Sequence, residues 1–326
     1  MATIRCAGSS ASTASVSARD AHAAKGHAMA MMLRAVARYA GAAMLVGAAA
    51  CGSSPAGPGP DPPPPGASQT LIGAGDIGWC GLAGAAATGR LLDAIGGAVF
   101  TAGDNAYPNG SARDFAQCYD PAWGRHKSRT YAVPGNHDYE QPGAAAYFAY
   151  FGDHAGPPGL GYYSFSLGAW HVITLNSEIA TGAASPQVAW LKDDLAENRP
   201  ACTAVIWHKP LYSSGLNGDN LFMREIWRIL YDANVDVIIN GHDHDYERFA
   251  PQDPDGRRDS TRGIREFVVG TGGAQLYDLF TPHPNTEVWF SVWGVLQLTL
   301  RANDYDWRFV PIAGQSSSDF GTDRCH

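Results

Sequence analysis

The chain has 326 residues, of which 45% are hydrophobic, 11% aromatic and 17% charged. This composition is typical of a globular protein, and the length is sufficient for one large domain with a sizeable core or for two smaller domains. The formal net charge is −8, and no run rich in lysine and arginine stands out. The charge pattern therefore argues against nucleic acid as a partner.

The first 66 residues are unlike the rest of the chain and predict a leader. Residues 1–30 are rich in alanine and serine and show no apolar periodicity. Arg34 and Arg38 then precede an apolar stretch, residues 39–50, that is too short to span a bilayer. A positive segment followed by a short apolar one is typical of an export signal.

The sequence Ala48-Ala49-Ala50-Cys51 ends this segment with small residues and a cysteine. It resembles the lipobox of bacterial lipoproteins, although Ala48 occupies the position where leucine is usual. Membrane attachment through a lipidated Cys51 and plain secretion both remain open, so the expected location is the periplasm, the cell surface or the medium. Residues 52–66, rich in proline, glycine and serine, predict an extended tether.

Residues 67–326 predict one domain of alternating strands and helices. Continuous apolar or β-branched runs predict strands buried on both faces at residues 70–74, 98–102, 130–133, 204–207 and 235–239. Further strands are expected at 162–167, 171–176, 267–269, 295–300 and 307–310. Helical periodicity predicts helices at 83–95, 187–198 and 221–233. This order predicts an α/β fold, a four-layer αββα sandwich with two mixed sheets inside and helices outside. The irregular stretch 139–161 is interpreted as a lid or a substrate-facing loop.

Five short motifs rich in metal-ligand side chains follow the five buried runs. They are Gly75-Asp76-Ile77-Gly78, Gly103-Asp104-Asn105-Ala106-Tyr107, Gly135-Asn136-His137-Asp138, Trp207-His208-Lys209-Pro210 and Gly241-His242-Asp243-His244. Carboxylates, an amide, imidazoles and a phenol together suit zinc, iron or manganese rather than a thiolate-bound metal. Open α/β sheets place their ligands at the carboxyl ends of the strands, so the motifs predict a metal site at that edge.

These motifs, in this order, resemble the metallophosphoesterase (calcineurin-like phosphoesterase) superfamily. Many of its members carry a histidine two residues after the first aspartate, whereas the purple acid phosphatases have glycine there and a tyrosine three residues after the second aspartate. Gly78 and Tyr107 occupy these two positions. The sequence is therefore similar to the purple acid phosphatase branch, and Tyr246-Glu247-Arg248 strengthens the match.

The resemblance implies two metal ions with a shared carboxylate. One ion is expected to be bound by Asp76, Asp104, Tyr107 and His244. The other is expected to be bound by Asp104, Asn136, His208 and His242. A phenolate ligand favours Fe(III) on the Tyr107 side, with zinc, iron or manganese in the second site. A buried tyrosine with a satisfied hydroxyl is the alternative reading of Tyr107.

The resemblance further implies hydrolysis of a small phosphorylated substrate by a metal-activated hydroxide. His137 is the expected catalytic residue, as the general acid, with phosphate orientation as its alternative role. Asn136, His137 and His208 are the expected substrate-binding residues. The function predicted is that of an exported dinuclear phosphomonoesterase similar to acid phosphatases. A phosphodiesterase or nucleotidase on the same metal core, and a non-catalytic metal-binding surface module, are the alternatives.

Four cysteines lie in the predicted domain, and an even number in an exported protein favours disulfides. They are Cys80, Cys118, Cys202 and Cys325, which allow three connectivities. Chain order favours Cys80–Cys118, since both follow the first two metal motifs, and Cys202–Cys325, which would tie the chain end to a strand.

Other polar and aromatic residues are interpreted as supporting. Asp138, Asp243 and Asp245 are expected beside the ligands or in loops, Trp207 and Trp227 in the core, and Arg248 in an ion pair. Histidines outside the motifs are expected to be structural or exposed; they are His126, His154, His171 and His283.

Overall fold

The computed structural model of the chain describes residues 67–278 and 281–326. The predicted leader and tether, residues 1–66, lie outside the described residues. Within the part that is described, no helix is long and apolar enough to cross a membrane.

The described residues contain thirteen strands. In chain order these are β1 (Gln69–Ala74), β2 (Ala98–Thr101), β3 (Thr130–Tyr131), β4 (Tyr163–Leu167), β5 (Trp170–Thr174), β6 (Cys202–Ile206), β7 (Val237–Asn240), β8 (Tyr246–Phe249), β9 (Arg265–Val269), β10 (Thr286–Phe290), β11 (Gly294–Leu300), β12 (Asp304–Pro311) and β13 (Phe320–Arg324). All ten predicted strands are present. β8, β10 and β13 were missed.

The strands form two mixed sheets, as predicted. One has six strands in the order β13-β12-β11-β1-β2-β3, and the other has seven in the order β10-β8-β9-β7-β6-β5-β4. β1, β2 and β3 are parallel to one another, and so are β5, β6, β7 and β9. The remaining pairings are antiparallel. The carboxyl ends of the parallel strands therefore form the edge at which the polar motifs begin.

Six α-helices accompany the sheets: α1 (Gly84–Ala94), α2 (Ala112–Asp114), α3 (Asp120–Trp123), α4 (Ala145–Phe151), α5 (Pro186–Glu197) and α6 (Arg224–Asp232). A π-helical turn, Phe115–Tyr119, joins α2 to α3, and a 3-10 turn, Leu221–Met223, precedes α6. Ser185 caps α5, because its side chain accepts a hydrogen bond from the Val188 backbone N–H at 3.2 Å.

Two apolar clusters show the layer order. The inner cluster joins the facing sides of both sheets through residues such as Phe100, Leu296, Val237 and Phe267, and it extends to Leu92 of α1. The second cluster packs α5 and α6 against the outer face of the seven-stranded sheet. Trp207 and Trp227 lie in this second cluster, as predicted, and are fully buried. The structure thus confirms the layered arrangement of helices outside two sheets.

Residues 139–161 are not irregular throughout, contrary to the prediction. This stretch contains α4, whose Tyr147 and Phe151 are buried in the inner cluster. Glycine and proline at 142–143 bend the chain through a left-handed turn at Gly143, and only then does the helix begin. The high density of glycine and proline concealed this short helix, and the role of the stretch as a lid or substrate-facing loop stays a prediction.

Both predicted disulfides are present. Cys80–Cys118 joins the segment after β1 to the π-helical turn, and Cys202–Cys325 joins the start of β6 to the residue after β13. The two closed loops span 38 and 123 residues, so each cross-link restricts the unfolded chain substantially.

Candidate metal centre

Every expected ligand follows the carboxyl end of a parallel strand. Asp76 follows β1, Asp104 and Tyr107 follow β2, Asn136 follows β3, His208 follows β6, and His242 and His244 follow β7. Three of these residues, Asp76, Asp104 and His242, have left-handed backbone angles with φ of 59°, 50° and 74°. Such angles cost a non-glycine residue roughly 1–3 kcal/mol, and they cluster at functional sites. These left-handed turns direct the side chains of Asp76, Asp104 and His242 toward the carboxyl edge of the sheets.

Two glycines of the motifs permit the close approach of the loops. A Cβ on Gly103, which has a φ of 86°, would lie 2.4 Å from Nδ1 of His208. A Cβ on Gly135 would lie 2.2 Å from Oδ1 of Asp104. Any larger residue at Gly103 or Gly135 would therefore displace one of the expected ligands, which explains the glycine that begins each of these two motifs.

The first group of donors surrounds the Tyr107 hydroxyl. This oxygen lies 2.9 Å from Oδ1 of Asp76, 3.1 Å from Oδ2 of Asp104 and 3.0 Å from Nε2 of His244. All four side chains are buried. The structure thus brings together the four residues that the resemblance assigns to the first metal.

The second group lies on the other side of Asp104. Nε2 of His208 is 3.2 Å from Oδ2 of Asp104 and 3.1 Å from Oδ1 of Asn136. The rings of His208 and His242 meet edge to face with centroids 5.0 Å apart. Potential ligand atoms of Asp104, His208 and His242 all lie within 4.8 Å of one another. Asp104 therefore belongs to both groups.

In the neutral rings of His208 and His244, the lone pair of Nε2 faces oxygen atoms of neighbouring side chains. Nδ1 of His208 lies 2.8 Å from the carbonyl oxygen of Ala102, and Nδ1 of His244 lies 2.6 Å from that of Gln275. A carbonyl only accepts, so Nδ1 carries the hydrogen in each ring and Nε2 of the neutral ring is an acceptor. Each Nε2 atom therefore faces other acceptors, and either a proton on Nε2 or a cation shared with the neighbouring carboxylate satisfies the contact. Carbonyl partners of this kind commonly orient metal-binding histidines.

Positive charge is favoured beside the buried carboxylates. Against the burial that opposes it, the charge of Asp104 raises the pKa of His208 to about 10, and Asp76 raises the pKa of His244 in the same way. Burial raises the pKa of the Tyr107 phenol well above its ordinary value, and the carboxylates of Asp104 and Asp76 raise it further. Burial, followed by the charge of His208, lowers the pKa of His242 to about 2, so its ring is neutral. The Tyr107 hydroxyl can donate to only one of the two carboxylates, so the set of four donors fits a cation, while a protonated Tyr107 that donates to one carboxylate stays the alternative.

His137 lies at the open side of the same cluster. Its backbone N–H donates to Oδ1 of Asp104 at 2.8 Å, and its ring lies 4.4 Å from the Tyr107 ring between centroids. Nδ1 donates to the Pro108 carbonyl at 2.6 Å, while Nε2 lies 3.9 Å from Oδ2 of Asp104. The side chain is 34% exposed, unlike the buried donors. Nε2 is thus free to face a bound substrate.

A family model described as calcineurin-like phosphoesterase matches residues 70–246. This span is more than half of the chain and contains all seven expected ligands. The chain belongs to the calcineurin-like phosphoesterase family. The resemblance inferred from the five motifs is thereby confirmed at the level of the superfamily.

Sequence relatives of this calcineurin-like phosphoesterase include purple acid phosphatases of Arabidopsis thaliana. Purple acid phosphatase 23 is 29% identical over 173 residues, which cover 47% of this chain and 38% of that protein. Purple acid phosphatase 15 is 29% identical over 187 residues, which cover 46% and 35%. The matches confirm the similarity to the purple acid phosphatase branch. The chain spans less than two fifths of the length of these relatives.

Solved structures with the same fold include purple acid phosphatase PPD1 from yellow lupin, Lupinus luteus. It superposes with a TM-score of 0.67 at 18% identity, covering 78% of this chain and 53% of that one. GAP50, described as the anchor in the inner membrane complex of Plasmodium, gives a TM-score of 0.62 at 14% identity, with 80% and 90% covered. At these identities the similarity shows the fold alone.

The aspartates next to the ligands hold the loops of the phosphoesterase together. Asp138 accepts hydrogen bonds from the backbone N–H of Gly135 and the Asn105 side chain, both at 2.9 Å, which joins two ligand loops. Burial, followed by the charge of Asp104, raises the pKa of Asp138 to about 7. Asp243 accepts a hydrogen bond from Ser213 and Asp245 accepts one from Trp289 of β10, so both face away from the donor cluster. These placements agree with their expected supporting roles.

Two aromatic residues of the site were missed from the sequence. The Trp79 ring stacks on the Tyr107 ring with centroids 4.8 Å apart. The Tyr277 ring stacks on the His244 ring at 4.1 Å. Trp79 directly follows the first motif and could have been noticed there. Tyr277 lies far from every motif, and no local pattern marks it.

The remaining charged and histidine residues have structural contacts. Arg248 donates to the Asp319 carboxylate at 2.7 Å, which confirms the expected ion pair. His171 forms a buried pair with Asp194 at 2.6 Å. Nδ1 of His154 lies 3.0 Å from the Thr130 carbonyl oxygen. None of these contacts involves a side chain of the donor cluster.

Proposed function

We propose that this calcineurin-like phosphoesterase is an exported phosphomonoesterase, similar to acid phosphatases, with a dinuclear metal centre. The observation that carries the proposal is the position of Asp104. Its Oδ2 lies 3.1 Å from the Tyr107 hydroxyl of one donor group and 3.2 Å from the His208 imidazole of the other. A single carboxylate shared by two donor groups suits a ligand common to two cations, and Oδ1 of the same carboxylate is held by the His137 backbone N–H.

The two groups differ in chemistry and so in the metal each prefers. The first combines two carboxylates, a phenol and an imidazole, which favours Fe(III) once the phenol is ionised. The second combines a shared carboxylate, a neutral amide and two imidazoles, which suits zinc, iron or manganese. Its ligands are Asp104, Asn136, His208 and His242. When bound, the two cations supply Lewis-acid activation of water and neutralise phosphoryl charge.

The chain's own residues bind the phosphate and move a proton. Asn136 and His137 are partly exposed and border the phosphoryl group, whereas His208 is fully buried and contacts Asn136 from behind. In the protonated ring of His137, Nδ1–H remains on the Pro108 carbonyl and Nε2–H faces the substrate. As the phosphorus–oxygen bond breaks, Nε2 gives its proton to the departing alkoxide oxygen. His137 then acts as the general acid.

Two features support export. Both disulfides join residues of the catalytic domain, and disulfides persist in oxidising compartments. The sequence of residues 34–51 has the order of an export signal and ends in Cys51. Secretion and lipid attachment through Cys51 differ by one measurable modification, which mass spectrometry of the mature N-terminus distinguishes.

The test combines elemental analysis with a set of matched esters. We expect two metal ions per chain, iron among them, and faster hydrolysis of 4-nitrophenyl phosphate than of bis(4-nitrophenyl) phosphate across the acidic pH range. Preference for the bis ester or for nucleotides would make the protein a phosphodiesterase or nucleotidase. Two bound metals without hydrolysis of any ester would make it a non-catalytic metal-binding module.

A further inference from the structure

A serine-rich loop, residues 213–217, packs directly against the ligand loop that follows β7. Ser213 donates its hydroxyl hydrogen to Oδ2 of Asp243 at 2.5 Å, and the Asn217 backbone N–H donates to Oδ1 at 2.8 Å. A Cβ on Gly215 would lie 2.3 Å from the Asp243 carboxyl carbon. The loop therefore wraps around one buried carboxylate, which stands between the expected ligands His242 and His244.

A second buried carboxylate fixes the middle of this serine loop. Glu247 accepts a hydrogen bond from the Ser214 backbone N–H at 2.8 Å and further bonds from the Ser214 and Thr286 hydroxyls. The Ser214 hydroxyl oxygen also accepts from the His283 backbone N–H at 2.6 Å. The serine loop thus has hydrogen bonds at both ends and in the middle, although it has no helix or strand of its own.

The same loop borders the donor cluster. The Asn217 side chain donates to the His242 carbonyl at 2.9 Å. The Asn217 backbone N–H donates to Asp243, the residue between the expected ligands His242 and His244. The serine loop therefore contacts the ligand loop through both the side chain and the backbone of Asn217, which places it beside the donor cluster.

Leu216 is the one apolar side chain in the serine loop, and it is 62% exposed. Its neighbours on both sides, Gly215 and Asn217, contact Asp243, so Leu216 is exposed on a segment that is fixed against the ligand loop. An exposed leucine alone needs no explanation. An exposed leucine on a loop held by two buried carboxylates, beside a cluster of polar donors, is preorganised for contact with a ligand.

We propose that Leu216 is a specificity-determining residue that contacts the alcohol part of the phosphate ester. The substrate class is then an ester with an apolar alcohol, such as an alkyl chain or an aromatic ring. This inference rests on the proposed phosphomonoesterase function. Asp243 and Glu247 act through the serine loop as positioning residues, because their hydrogen bonds hold Leu216 in place.

The experiment compares hexyl phosphate with ethyl phosphate. Both are simple primary alkyl esters with alcohols of similar acidity, so the ratio of their kcat/KM values reports contact with the chain rather than chemistry. We expect the kcat/KM of the metal-loaded wild type to be about fivefold to tenfold higher for the hexyl ester. This is the gain expected when a few additional methylenes are partly buried against an exposed apolar side chain. Leu216→Asn should bring the ratio close to one, mainly through KM, with the metal content unchanged.

Two further variants separate the effect of Leu216 from a general effect of the substitution. Ser213→Ala removes one hydrogen bond to Asp243, and the ratio should fall partway because the serine loop loosens. Phe320→Asn replaces a 75% exposed side chain on the edge strand β13 and should leave the ratio at the wild-type value. Circular dichroism of each variant checks that the fold is retained.

The outcomes distinguish this inference from the function on which it rests. A wild type that hydrolyses both esters at equal kcat/KM, or a Leu216→Asn variant that keeps the wild-type ratio, overturns the inference and leaves the phosphomonoesterase standing. A lowered ratio in Phe320→Asn also overturns it. An unchanged ratio in Ser213→Ala overturns the positioning role of Asp243. Metal-loaded wild type that hydrolyses neither ester overturns both proposals.

Discussion

The Oδ2 oxygen of Asp104 lies 3.1 Å from the hydroxyl of Tyr107, and neither group is accessible to solvent. Burial raises the pKa of the Tyr107 phenol, and the negative charge of Asp104 raises it further. Without a cation beside them, the phenol therefore resists ionisation. A cation between them reverses this, because it stabilises both anions. The contact between these two residues is therefore where the two donor groups join and where metal content should be most sensitive.

Asp104→Asn should remove the shared ligand from both groups. We expect the loss of both metals, or of most of the second, together with nearly all hydrolysis of 4-nitrophenyl phosphate. Elemental analysis after gel filtration measures the stoichiometry. The control is Asp193→Asn, which changes an exposed carboxylate on α5 and should keep both metals. Two metals per chain and near-normal turnover in Asp104→Asn would contradict the assignment.

Tyr107→Phe tests the phenol as a ligand through colour. A phenolate on Fe(III) gives a visible charge-transfer band, so protein loaded with iron under oxidising conditions should be pink to purple. The variant should be pale while it retains part of its iron, because Asp76, Asp104 and His244 remain. Visible spectra normalised to iron content provide the measurement. A colourless wild type, or a band that survives in Tyr107→Phe, would place Tyr107 outside the ligand set.

His137→Ala should retain its metals and lose turnover. The expected fall in kcat is roughly 10²–10⁴-fold for an ester with a poor leaving group, the usual contribution of a general acid. The deficit should shrink for 4-nitrophenyl phosphate, whose leaving group needs no proton. A series of aryl and alkyl phosphates of graded leaving-group acidity supplies the comparison. An equal loss across the series would favour the alternative role of His137 in orienting phosphate.

The strand-end motifs made the fold and the position of the site predictable, because each polar motif follows a continuous apolar run. In β6 and β7 every residue is buried, which is why these strands appear in sequence as mostly apolar runs. The missed strand β13 alternates between exposed and partly exposed residues at the edge of its sheet, so its sequence lacks that signal.

Other features depend on contacts between distant segments and leave no local pattern. Tyr277 stacks on His244, although the two residues are 33 positions apart in the chain and each lies in a loop. The serine loop is held by Asp243 and Glu247, whose side chains point away from the metal ligands beside them. The sequence motif predicted His242 and His244 as ligands. The hydrogen bonds of Asp243 and Glu247 became apparent only in the structure.

The two disulfides should differ in their contribution to stability. In the chain-entropy account a loop of 38 residues contributes roughly 4 kcal/mol and a loop of 123 residues roughly 5 kcal/mol to the free energy of unfolding. Cys325→Ser should therefore destabilise the protein somewhat more than Cys80→Ser. Urea denaturation of both variants gives the comparison. A larger loss for Cys80→Ser would show that contacts around the metal centre, rather than loop length, dominate.

The buried carboxyl of Asp236 should make the protein less stable as pH rises. Burial raises its pKa from the ordinary value of 3.8 to about 7, against the opposing hydrogen bonds from the Thr203 and His326 backbone N–H groups. Between these two values the folded state holds a proton that the unfolded state has released. The free energy of unfolding therefore falls from about pH 4 to pH 7, and the contribution is constant above that range.

A pKa difference of this size sets a ceiling of about 4 kcal/mol on the effect of Asp236. Asp236→Asn lacks the titrating group, so the stability of the wild type relative to this variant should decline between pH 4 and pH 7 and then level off. Urea denaturation of metal-loaded protein at four pH values measures the difference, and Asp232→Asn, an exposed carboxylate at the end of α6, serves as the control. A difference that does not change with pH would show that the Asp236 carboxyl stays ionised in the folded protein, held by its two backbone hydrogen bonds.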